Sequence, residues 1–529
     1  MTDSSAPSPV DVLVIGGGAG GLAAALVLAR SRRDVVLVDA GEPRNAPADA
    51  VHNYLGREGT SPGELTAIGR EEVQGYGARV VDGSVVEAVA TDDGPGPRFD
   101  VRLDDGSAFS ARRVVLATGV RDQLPGVPGL AERWGRDVLH CPYCHGWEVR
   151  DQRIGILATN AAALHQVGLF RQLSDQVCLL AQDVELSHRD RARLRATSVP
   201  VVEGPVTAVH TEDDALVGVT VGDQRLALDA VVVASFPDAG HPVAEALGVP
   251  THDMSRGELV MARALTADAM TGSTTVPGVF VVGNAANPMG TTIAAAANGT
   301  QVGAMVNAEL VEEDTALAVQ AWRAEQNEPG PWDERYADHV WSGNVNPRLP
   351  ERVSSLAPGR ALDVGCGEGA DVLWLAEQGW DATGMDFSAV GLERAALHAV
   401  EAGVEDRTHW RQEDVRSWEP DGTWDLVVSH YLHLADDAMA DAVRRLTAAV
   451  APGGTLLVVL HHPDDVLGAP GPDGFPAPEL VDAVRSADGD WEVETDVVDR
   501  VGTGHGPGVV VRDIVLEARR RGSDREVAR

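Results

Sequence analysis

The feature that most constrains the fold is a glycine-rich loop that occurs twice, each time between a run of apolar residues and an alanine-rich stretch. The first loop follows DVLVI and has the spacing Gly16-x-Gly18-x-x-Gly21. The second follows ALDV and contains Gly365 and Gly367. A strand, a tight glycine turn and a helix form the unit from which parallel sheets covered by helices are built. The chain is therefore predicted to contain at least two α/β domains.

Short runs of Val, Ile and Leu alternate with helical stretches along the rest of the chain as well. The predicted strands are DVLVIG, DVVLVDA, RVVLATG, RIGILA, QVCLLA, AVVVAS and GVFVVG, followed by a second series of ALDVGCG, DATGMD, WDLVVSH and GTLLVVL. This alternation is typical of βαβ units, and it predicts an α/β fold throughout.

The two series of strands are separated by a helical stretch and the segment EQNEPGPWDERY, and most of the 11 tryptophans follow residue 320. We therefore place a domain boundary near residue 320. The predicted parts are a nucleotide-binding domain over 1–120 and 236–318, an inserted nucleotide-binding-like domain over 121–235, a linker over 319–332 and a C-terminal domain over 333–529.

Composition excludes several function classes. The formal net charge is -37, and every basic residue is Arg rather than Lys. Because a basic patch is the usual footprint of nucleic-acid binding, this charge argues against a nucleic-acid partner. The first residues lack the basic and apolar regions of a signal peptide, and the apolar runs are too short to span a bilayer. We expect a cytoplasmic protein without a membrane partner.

The first glycine-rich loop has the full context of a dinucleotide site. Gly16 makes the tight turn, Gly18 admits a pyrophosphate close to the backbone, and Gly21 lets helix and strand pack closely. The phosphates would lie at the helix N-terminus, where free N–H groups favour anions. Asp39 ends the next strand, where a carboxylate can bind ribose hydroxyls. A turn residue at a strand end is the alternative interpretation of Asp39.

The segment HCPYCHGWEVR places Cys141 and Cys144 in a CxxC motif. This spacing lets the two sulfurs close a disulfide, and the motif often lowers the pKa of one thiol. A zinc site is the alternative, but it needs further ligands, and the remaining cysteines, Cys178 and Cys366, lie far from a second CxxC. The motif therefore predicts a redox-active pair, with Cys178 as a core residue.

Residues 1 to about 318 resemble the low-molecular-weight thioredoxin reductase family. The motifs occur in the family's order: GGGAGG, VVLATGVRDQLPGVPG, the CxxC and GVFVVGNAANPMGTTIAAAANGTQVG. The resemblance implies FAD as cofactor, bound by the domain over 1–120 and 236–318. It implies that Gly283 and Asn284 lie at the ribityl and phosphate chain and that Thr300 and Gln301 lie near the flavin ring. The family usually has Asp in place of Asn284. It also implies a homodimer.

The resemblance also assigns roles within the redox motif. The second cysteine of the family faces the flavin and the first exchanges with substrate, which assigns Cys144 and Cys141 respectively. The family's acid/base Asp is replaced by His145, whose imidazole can transfer a thiol proton near neutral pH. A surface turn residue is the alternative for His145. CPYCHGWE is similar to the subgroup that includes dithiol oxidases of gliotoxin-type and holothin-type antibiotic pathways.

Thioredoxin reductases carry a second glycine-rich loop, for NADPH, after the CxxC. Here the loop after RIGIL reads ATNAAA, residues 158–163, without glycine. The family's basic cluster for the 2′-phosphate is replaced by Ala181-Gln182-Asp183, and His188-Arg189 follows later. Cβ atoms crowd a backbone that must approach pyrophosphate, and Asp repels a phosphate. Binding of NAD(P)H is therefore left open, with a divergent functional loop as the alternative.

The second half resembles class I S-adenosylmethionine-dependent methyltransferases over roughly 330–529. ALDVGCGEG, GMDFS, RQEDVRSW and APGGTLLVVL occur in that family's order. The resemblance implies an S-adenosylmethionine (SAM) site, whose residues would be Asp363, Gly365, Gly367 and Gly369 in the loop, Asp386 at the ribose and Asp414 at the adenine. His430, Tyr431, His433, His461, His462, Asp464 and Asp465 follow the fourth and fifth strands, where they would line an acceptor pocket or form a polar rim.

Together these motifs predict a bifunctional enzyme: an FAD-dependent thiol–disulfide oxidoreductase followed by a SAM-dependent methyltransferase. The substrate would be a small-molecule or protein dithiol or disulfide, and the methyl acceptor stays open. One alternative is an NAD(P)H-dependent thioredoxin reductase with a passenger methyltransferase domain. Another is a sensor that binds flavin and SAM without turnover, against which the intact CxxC argues.

Overall fold

The structure is a computed structural model that describes residues 9–91, 96–160, 163–326, 328–337, 343–432, 434, 437–462, 477–501 and 510–522. Among the residues named above, Ala161, Ala162, His433, Asp464 and Asp465 lie outside this description. The chain divides into two compact units, Met1–Asp314 and Thr315–Arg529. The predicted boundary near residue 320 and the predicted linker lie C-terminal to this division, where most of the residues are helical.

The first unit is rich in strands. Its strands are β1 Val10–Ile15, β2 Val35–Asp39, β3 Arg79–Asp82, β4 Val85–Thr91, β5 Arg98–Leu103, β6 Ala108–Leu116, β7 Arg121–Gln123, β8 Val138–Leu139, β9 Ile154–Leu157, β10 Val177–Gln182, β11 Val201–Glu203, β12 Val206–Glu212, β13 Ala215–Val221, β14 Gln224–Leu226, β15 Ala230–Val233, β16 Phe236–Asp238, β17 Thr251–Arg256, β18 Leu259–Leu265 and β19 Val279–Val281. Its helices are α1 Ala19–Arg30, α2 Pro62–Gly75, α3 Pro142–His145, α4 Ala163–Phe170, α5 His188–Ala196, α6 Pro242–Ala246 and α7 Thr292–Gln326, which extends past the division.

The first sheet contains seven strands in the order β3-β2-β1-β6-β5-β4, with β19 paired to β6. β1, β2, β3 and β19 pair in parallel, whereas β4, β5 and β6 form an antiparallel meander. β1 is buried on both faces: Val12 and Val14 pack with α1, and Leu13 and Ile15 pack in the opposite core. Burial on both faces explains why this strand reads as a continuous apolar run.

The second sheet is the five-stranded parallel sheet β11-β10-β9-β15-β8, followed by the antiparallel meander β12-β13-β14. A further sheet has the order β17-β18-β16-β7. Its strands β7 and β16 pair antiparallel, with Arg121 opposite Asp238. β7 begins the predicted insert over 121–235, and β16 directly follows it. The chain therefore enters and leaves the insert on neighbouring strands.

The second unit contains one seven-stranded sheet. Its strands are β20 Arg360–Val364, β21 Asp381–Asp386, β22 Thr408–Gln412, β23 Trp424–His430, β24 Val450–His461, β25 Trp491–Val501 and β26 Val510–Arg520. Its helices are α8 Pro329–Ala337, α9 Arg348–Val353, α10 Ala370–Glu377, α11 Ala389–Ala402, α12 Asp437–Ala448 and α13 Ala477–Arg485.

The order of this sheet is β22-β21-β20-β23-β24-β26-β25, with β26 antiparallel to both of its neighbours. The strand order reverses beside β20, and ligands of open α/β sheets bind at the carboxyl ends of the strands at such a point. The predicted α/β fold, with Rossmann-like parallel sheets in the first unit and a seven-stranded sheet in the second, is confirmed. Within the described residues, no helix is both long and apolar enough to cross a membrane.

Candidate active sites

A cavity of about 710 Å³ opens at the carboxyl ends of β1, β2 and β6 in the first unit. Its wall brings together predicted residues from distant parts of the chain: Gly16, Gly18, Asp39, Cys144, His145, Gly283 and Asn284. A volume in this range is typical of ligand and cofactor sites. The predicted flavin loop and the second cysteine of the redox motif therefore face the same space.

The glycine loop of this cavity is fixed by close backbone contacts. A Cβ atom on Gly16 would lie 2.3 Å from the Ala117 carbonyl oxygen, and Gly16 has φ +113°. A Cβ atom on Gly21 would lie 1.9 Å from the Gly16 carbonyl oxygen. At Gly18, by contrast, a Cβ atom would have no neighbour within 4 Å. The first and third glycines are therefore required by packing, whereas Gly18 leaves open space at the N-terminus of α1, where a phosphate fits.

Asp39 ends β2 and holds the loop in place. Its carboxylate accepts hydrogen bonds from the backbone N–H of Gly17 (3.1 Å) and of Gly41 (3.2 Å), and from Arg70 Nη1 (3.1 Å). A carboxylate has about four acceptor positions, so it can also bind a hydroxyl. The position in the cavity wall fits the predicted ribose contact, but Asp39 also has a structural role that the sequence did not indicate.

Asn284 closes the loop between β19 and α7. Its Nδ2 donates to the carbonyl oxygens of Asn287 (3.0 Å) and Gly290 (2.8 Å). Gly283 has φ +67°, and its N–H donates to Asn298 Oδ1 at 2.8 Å. An Asp carboxylate could not donate to the two carbonyls, so the amide at position 284 is required by the shape of this loop. The amide Oδ1 is an acceptor that the two donated bonds leave available for a cofactor hydroxyl.

Thr300 and Gln301 both lie on α7, eight and nine residues after it begins. Thr300 borders a hollow of about 450 Å³ that shares Gly18 and Thr292 with the flavin-type cavity. Gln301 donates through Nε2 to the Met270 carbonyl oxygen at 2.7 Å. Neither residue lines the flavin-type cavity, which is lined instead by Thr291 and Thr292 at the start of α7. The helix begins two turns before Thr300, and its N-terminus is the end that faces the ligand.

Cys141 and Cys144 form a disulfide around the one-turn helix α3. Cys141 caps this helix, and its Sγ accepts from the Cys144 N–H at 3.1 Å. Cys144 lines the cavity, whereas Cys141 does not. Exposed Tyr143 lies between the two cysteines, and exposed Trp147 follows them. Cys144 is therefore the member of the pair in the cavity wall, and its contact with the flavin stays a prediction.

Two half-buried histidines, His140 and His145, lie beside the disulfide in the cavity wall. Burial lowers the pKa of His145 below its usual range, an effect that Glu148 opposes and His52 reinforces. Burial, with Arg44 nearby, lowers the pKa of His140 to about 4. His145 Nε2 has no hydrogen-bond partner among the described residues. His145 is therefore neutral near pH 7, with a nitrogen available to accept a proton.

His52 is a site residue that sequence reasoning missed. Its ring meets the His145 ring edge to face, with centroids 6.5 Å apart. Its Nδ1 lies 2.7 Å from Glu58 Oε1 and its Nε2 lies 3.3 Å from Glu148 Oε1. His52 also lines the cavity. Its ring therefore packs against His145, while both of its nitrogens face the exposed carboxylates of Glu58 and Glu148.

The glycines of the second unit also adopt conformations that other residues avoid. Gly365, Gly367 and Gly369 have φ of +77°, +52° and +85°. A Cβ atom on Gly367 would lie 2.7 Å from the Tyr336 hydroxyl, and one on Gly369 would lie 2.6 Å from the Trp410 ring. Tyr336, on α8, thus packs over the glycine loop. Sequence reasoning did not assign it, although it lies in the segment WDERYADHVW.

Carboxylates surround this loop. Asp386 ends β21, and its carboxylate accepts from the N–H of Gly367 and of Ser388, both at 2.9 Å. Burial raises the pKa of Asp386. Burial, followed by the charges of Asp371 and Asp386, raises the pKa of Asp363 well above its usual range. A buried group of like charges favours a cationic ligand, and SAM carries a sulfonium and an ammonium group. The residues present therefore fit SAM.

Asp414, the residue predicted at the adenine, has a partner in its own turn. Its carboxylate forms an ion pair with the Arg416 guanidinium, at 2.6 Å to Nη2, and accepts from the Arg416 N–H at 2.9 Å. Burial raises the pKa of Asp414, but the hydrogen bonds and the charge of Arg416 outweigh this effect, so the pKa is lowered. The carboxylate thus stabilises the turn after β22 instead of presenting a free acceptor. Among the described residues, no group of three or more His, Cys, Asp and Glu side chains could hold a metal ion.

Comparison with known proteins decides the family. The family model described as pyridine nucleotide-disulphide oxidoreductase matches residues 10–300, more than half of the chain. The chain belongs to this family. A second model, described as a methyltransferase domain, matches residues 361–454. The protein is thus a thioredoxin reductase-like oxidoreductase fused to a C-terminal methyltransferase domain, as predicted.

Relatives of the oxidoreductase unit are numerous. A probable thioredoxin reductase of Arthroderma benhamiae is 28% identical over 352 residues, covering 60% of this chain and 85% of the relative. The crystal structure of HlmI is 45% identical with a TM-score of 0.54, covering 60% of this chain and 96% of that one. An oxidoreductase from Agrobacterium tumefaciens is 33% identical with a TM-score of 0.52, covering 57% of this chain and 99% of that one.

The loop after β9 corresponds to the family's second glycine-rich loop, and its residues 158–163 contain no glycine. Thr159 Oγ1 donates to the Ala234 carbonyl oxygen at 3.2 Å, and Ala158 is buried at the end of β9. β10 ends at Gln182, and the next residue is the exposed Asp183. Arg189 follows on α5 and is exposed. The loop therefore carries side chains where a pyrophosphate needs bare backbone, and a negative charge where a 2′-phosphate needs a positive one.

Proposed function

We propose that the first unit binds FAD and oxidises dithiols through the Cys141–Cys144 pair. The observation that carries this proposal is that Cys144 lines the flavin-type cavity beside buried His145, whereas Cys141 does not. Bound FAD would supply two-electron oxidation of the reduced pair. The glycine loop, Asp39 and Asn284 would hold the cofactor.

The chain's own residues provide the thiol chemistry. A substrate thiolate attacks the outer sulfur, Cys141, and forms a mixed disulfide while the electron pair of the broken S–S bond passes to Cys144. The second substrate thiol then displaces Cys141, which releases the substrate as a disulfide and leaves the cysteine pair reduced. His145 Nε2 accepts a thiol proton, because burial keeps this imidazole neutral at pH 7.

The loop after β9 has no glycine, and Asp183 follows β10. Both features support oxygen rather than NAD(P)H as the electron partner. Reduced thiols would enter at Cys141, and molecular oxygen would accept the two electrons and two protons as hydrogen peroxide. Exposed Arg189 favours the alternative, an NAD(P)H-dependent disulfide reductase.

Oxygen consumption tests this proposal. With dithiothreitol as the probe dithiol and no nicotinamide present, we expect one hydrogen peroxide per disulfide formed. The matched assay offers NADPH and oxidised dithiothreitol without oxygen. Faster NADPH oxidation than dithiol oxidation would contradict the oxidase and establish the reductase.

We propose further that the second unit binds SAM and transfers its methyl group to a thiol. The buried carboxylates Asp363 and Asp386 beside the glycine loop support binding of a sulfonium. The fusion to a thiol oxidoreductase supports a sulfur acceptor, because a dithiol can be made unreactive by oxidation or by S-methylation. Joining both activities raises their effective concentration on one substrate. Methylation of dithiothreitol by the full chain tests this, and transfer only to oxygen or nitrogen acceptors would contradict it.

Asp386→Ala should weaken SAM binding by about tenfold or more, since charged hydrogen bonds contribute about 1.5–3 kcal/mol each. Burial raises the pKa of Asp386 and of Asp363, so the empty site holds protons that a cationic ligand displaces. SAM affinity should therefore rise with pH. Calorimetric titration in two buffers of different ionisation enthalpy measures both the affinity and the released protons. Asp381→Ala, at the exposed start of the same strand, is the matched control and should bind normally.

A further inference from the structure

His430 ends β23 and is held in one orientation by a carboxylate. Its Nδ1 lies 2.6 Å from Asp371 Oδ2, and its side chain is only 5% exposed. The other oxygen of Asp371 accepts from the Asn346 N–H at 2.7 Å. Because an ionised carboxylate only accepts hydrogen bonds, Nδ1 carries the proton and the lone pair is at Nε2.

That lone pair has no partner. Within the described part of the chain, His430 Nε2 is buried and makes no hydrogen bond, and the same holds for Asn346 Nδ2 beside it. Buried polar atoms in folded proteins are nearly always hydrogen-bonded. A histidine kept only for packing would have both nitrogens satisfied or an apolar side chain in its place. The two unpartnered atoms therefore indicate a ligand.

The sheet register places this pair at the glycine loop. Asp363 on β20 is opposite Val428 on β23, so His430 lies two residues further toward the carboxyl end. Asp371 is the second residue of α10, directly after the loop. A Cβ atom on Gly365 would lie 3.4 Å from Leu432, which shows that the segment after His430 runs against the loop. The available nitrogen thus lies where a methyl donor and its acceptor meet in this type of sheet.

We propose that His430 is the general base that activates the methyl acceptor, and that Asp371 is its positioning residue. This inference rests on the proposed methylation of a thiol. Nε2 accepts the S–H proton, and the freed sulfur electron pair forms the new S–CH₃ bond. The bond between the methyl group and the sulfonium breaks, and its electron pair stays on the departing sulfur as S-adenosylhomocysteine. The proton resides on the imidazolium, which Asp371 stabilises, until water removes it.

The experiment compares two probe thiols with the full chain. Dithiothreitol is mostly protonated at pH 7 and needs a base, whereas 4-nitrothiophenol is already ionised and does not. With His430→Gln we expect methylation of dithiothreitol to fall by about 10²–10⁴-fold, the usual contribution of a general base, and that of 4-nitrothiophenol to change little. Asp371→Asn should give the same selective loss. His409→Gln is the matched control, because His409 pairs with Asp381 at the surface, 2.8 Å apart.

Two readouts do not depend on turnover. SAM affinity by calorimetry should be retained in both His430→Gln and Asp371→Asn. ¹⁵N NMR of histidine-labelled protein should show one Nδ1–H tautomer that disappears in His430→Gln. Equal losses of activity with both thiols, or no loss with dithiothreitol, would overturn the assignment of His430 as the general base. A wild-type chain that binds SAM but methylates neither thiol would overturn the proposed thiol acceptor, and this inference with it.

Discussion

Cys144→Ser should reduce dithiol oxidation by about 10³-fold or more while the purified protein stays yellow. Removal of a covalent nucleophile typically costs at least this much, because no other group can take its place in the exchange. FAD should stay bound, since the glycine loop, Asp39 and Asn284 belong to other segments of the cavity wall. The measurement is steady-state oxygen consumption with dithiothreitol, together with the flavin absorbance of the protein after gel filtration.

Cys178→Ser is the matched control for this experiment. Cys178 lies on β10, away from the cavity, and burial raises the pKa of its thiol to about 11, which makes it a poor nucleophile. Its substitution should leave turnover unchanged. Full dithiol turnover by Cys144→Ser would show that the inner sulfur does not relay electrons, and loss of flavin in that variant would show that the cysteine is needed for cofactor binding.

The central parallel strands of both units, such as β1 and β20, could be predicted because they are buried on two faces. Apolar side chains of the run DVLVI point to both faces of the strand, and Val12 and Leu13 pack into opposite cores. The glycine loops were equally readable, since Gly16 and Gly21 are required by local contacts. Exposed strands such as β17, at the edge of its sheet, have no comparable apolar signal and were not predicted.

Contacts between residues that are far apart in the sequence could not be predicted in this way. His52 reaches His145 from a loop that carries no motif, and Tyr336 reaches Gly367 from α8. The position of Thr300 along α7 could not be predicted, because a motif gives the order of residues but not where the helix begins. The ion pair of Asp414 with Arg416 could not be predicted either. Each of these outcomes depends on packing that a single sequence does not contain.

NADPH should reduce the flavin at least about a hundredfold more slowly than dithiothreitol does at equal micromolar concentration. Two missing contacts to the 2′-phosphate, each worth about 1.5–3 kcal/mol, weaken binding by about that factor or more. The structure provides the physical reason. Thr159 closes the loop by donating to the Ala234 carbonyl, and exposed Asp183 and Glu185 follow β10, where a phosphate would need cations.

Stopped-flow mixing without oxygen measures both reductants by the loss of flavin absorbance. Asp183→Arg provides a matched test of the cause, because it replaces a repelling carboxylate with a guanidinium at the end of β10. This variant should accelerate reduction by NADPH about tenfold, the equivalent of about 1.4 kcal/mol, and should leave NADH, which has no 2′-phosphate, unchanged. Complete flavin bleaching by micromolar NADPH within one turnover of the wild-type protein would instead assign the chain to the reductases. Exposed Arg189 on α5 would then be the residue to substitute next, since a shifted loop could bring its guanidinium to the phosphate.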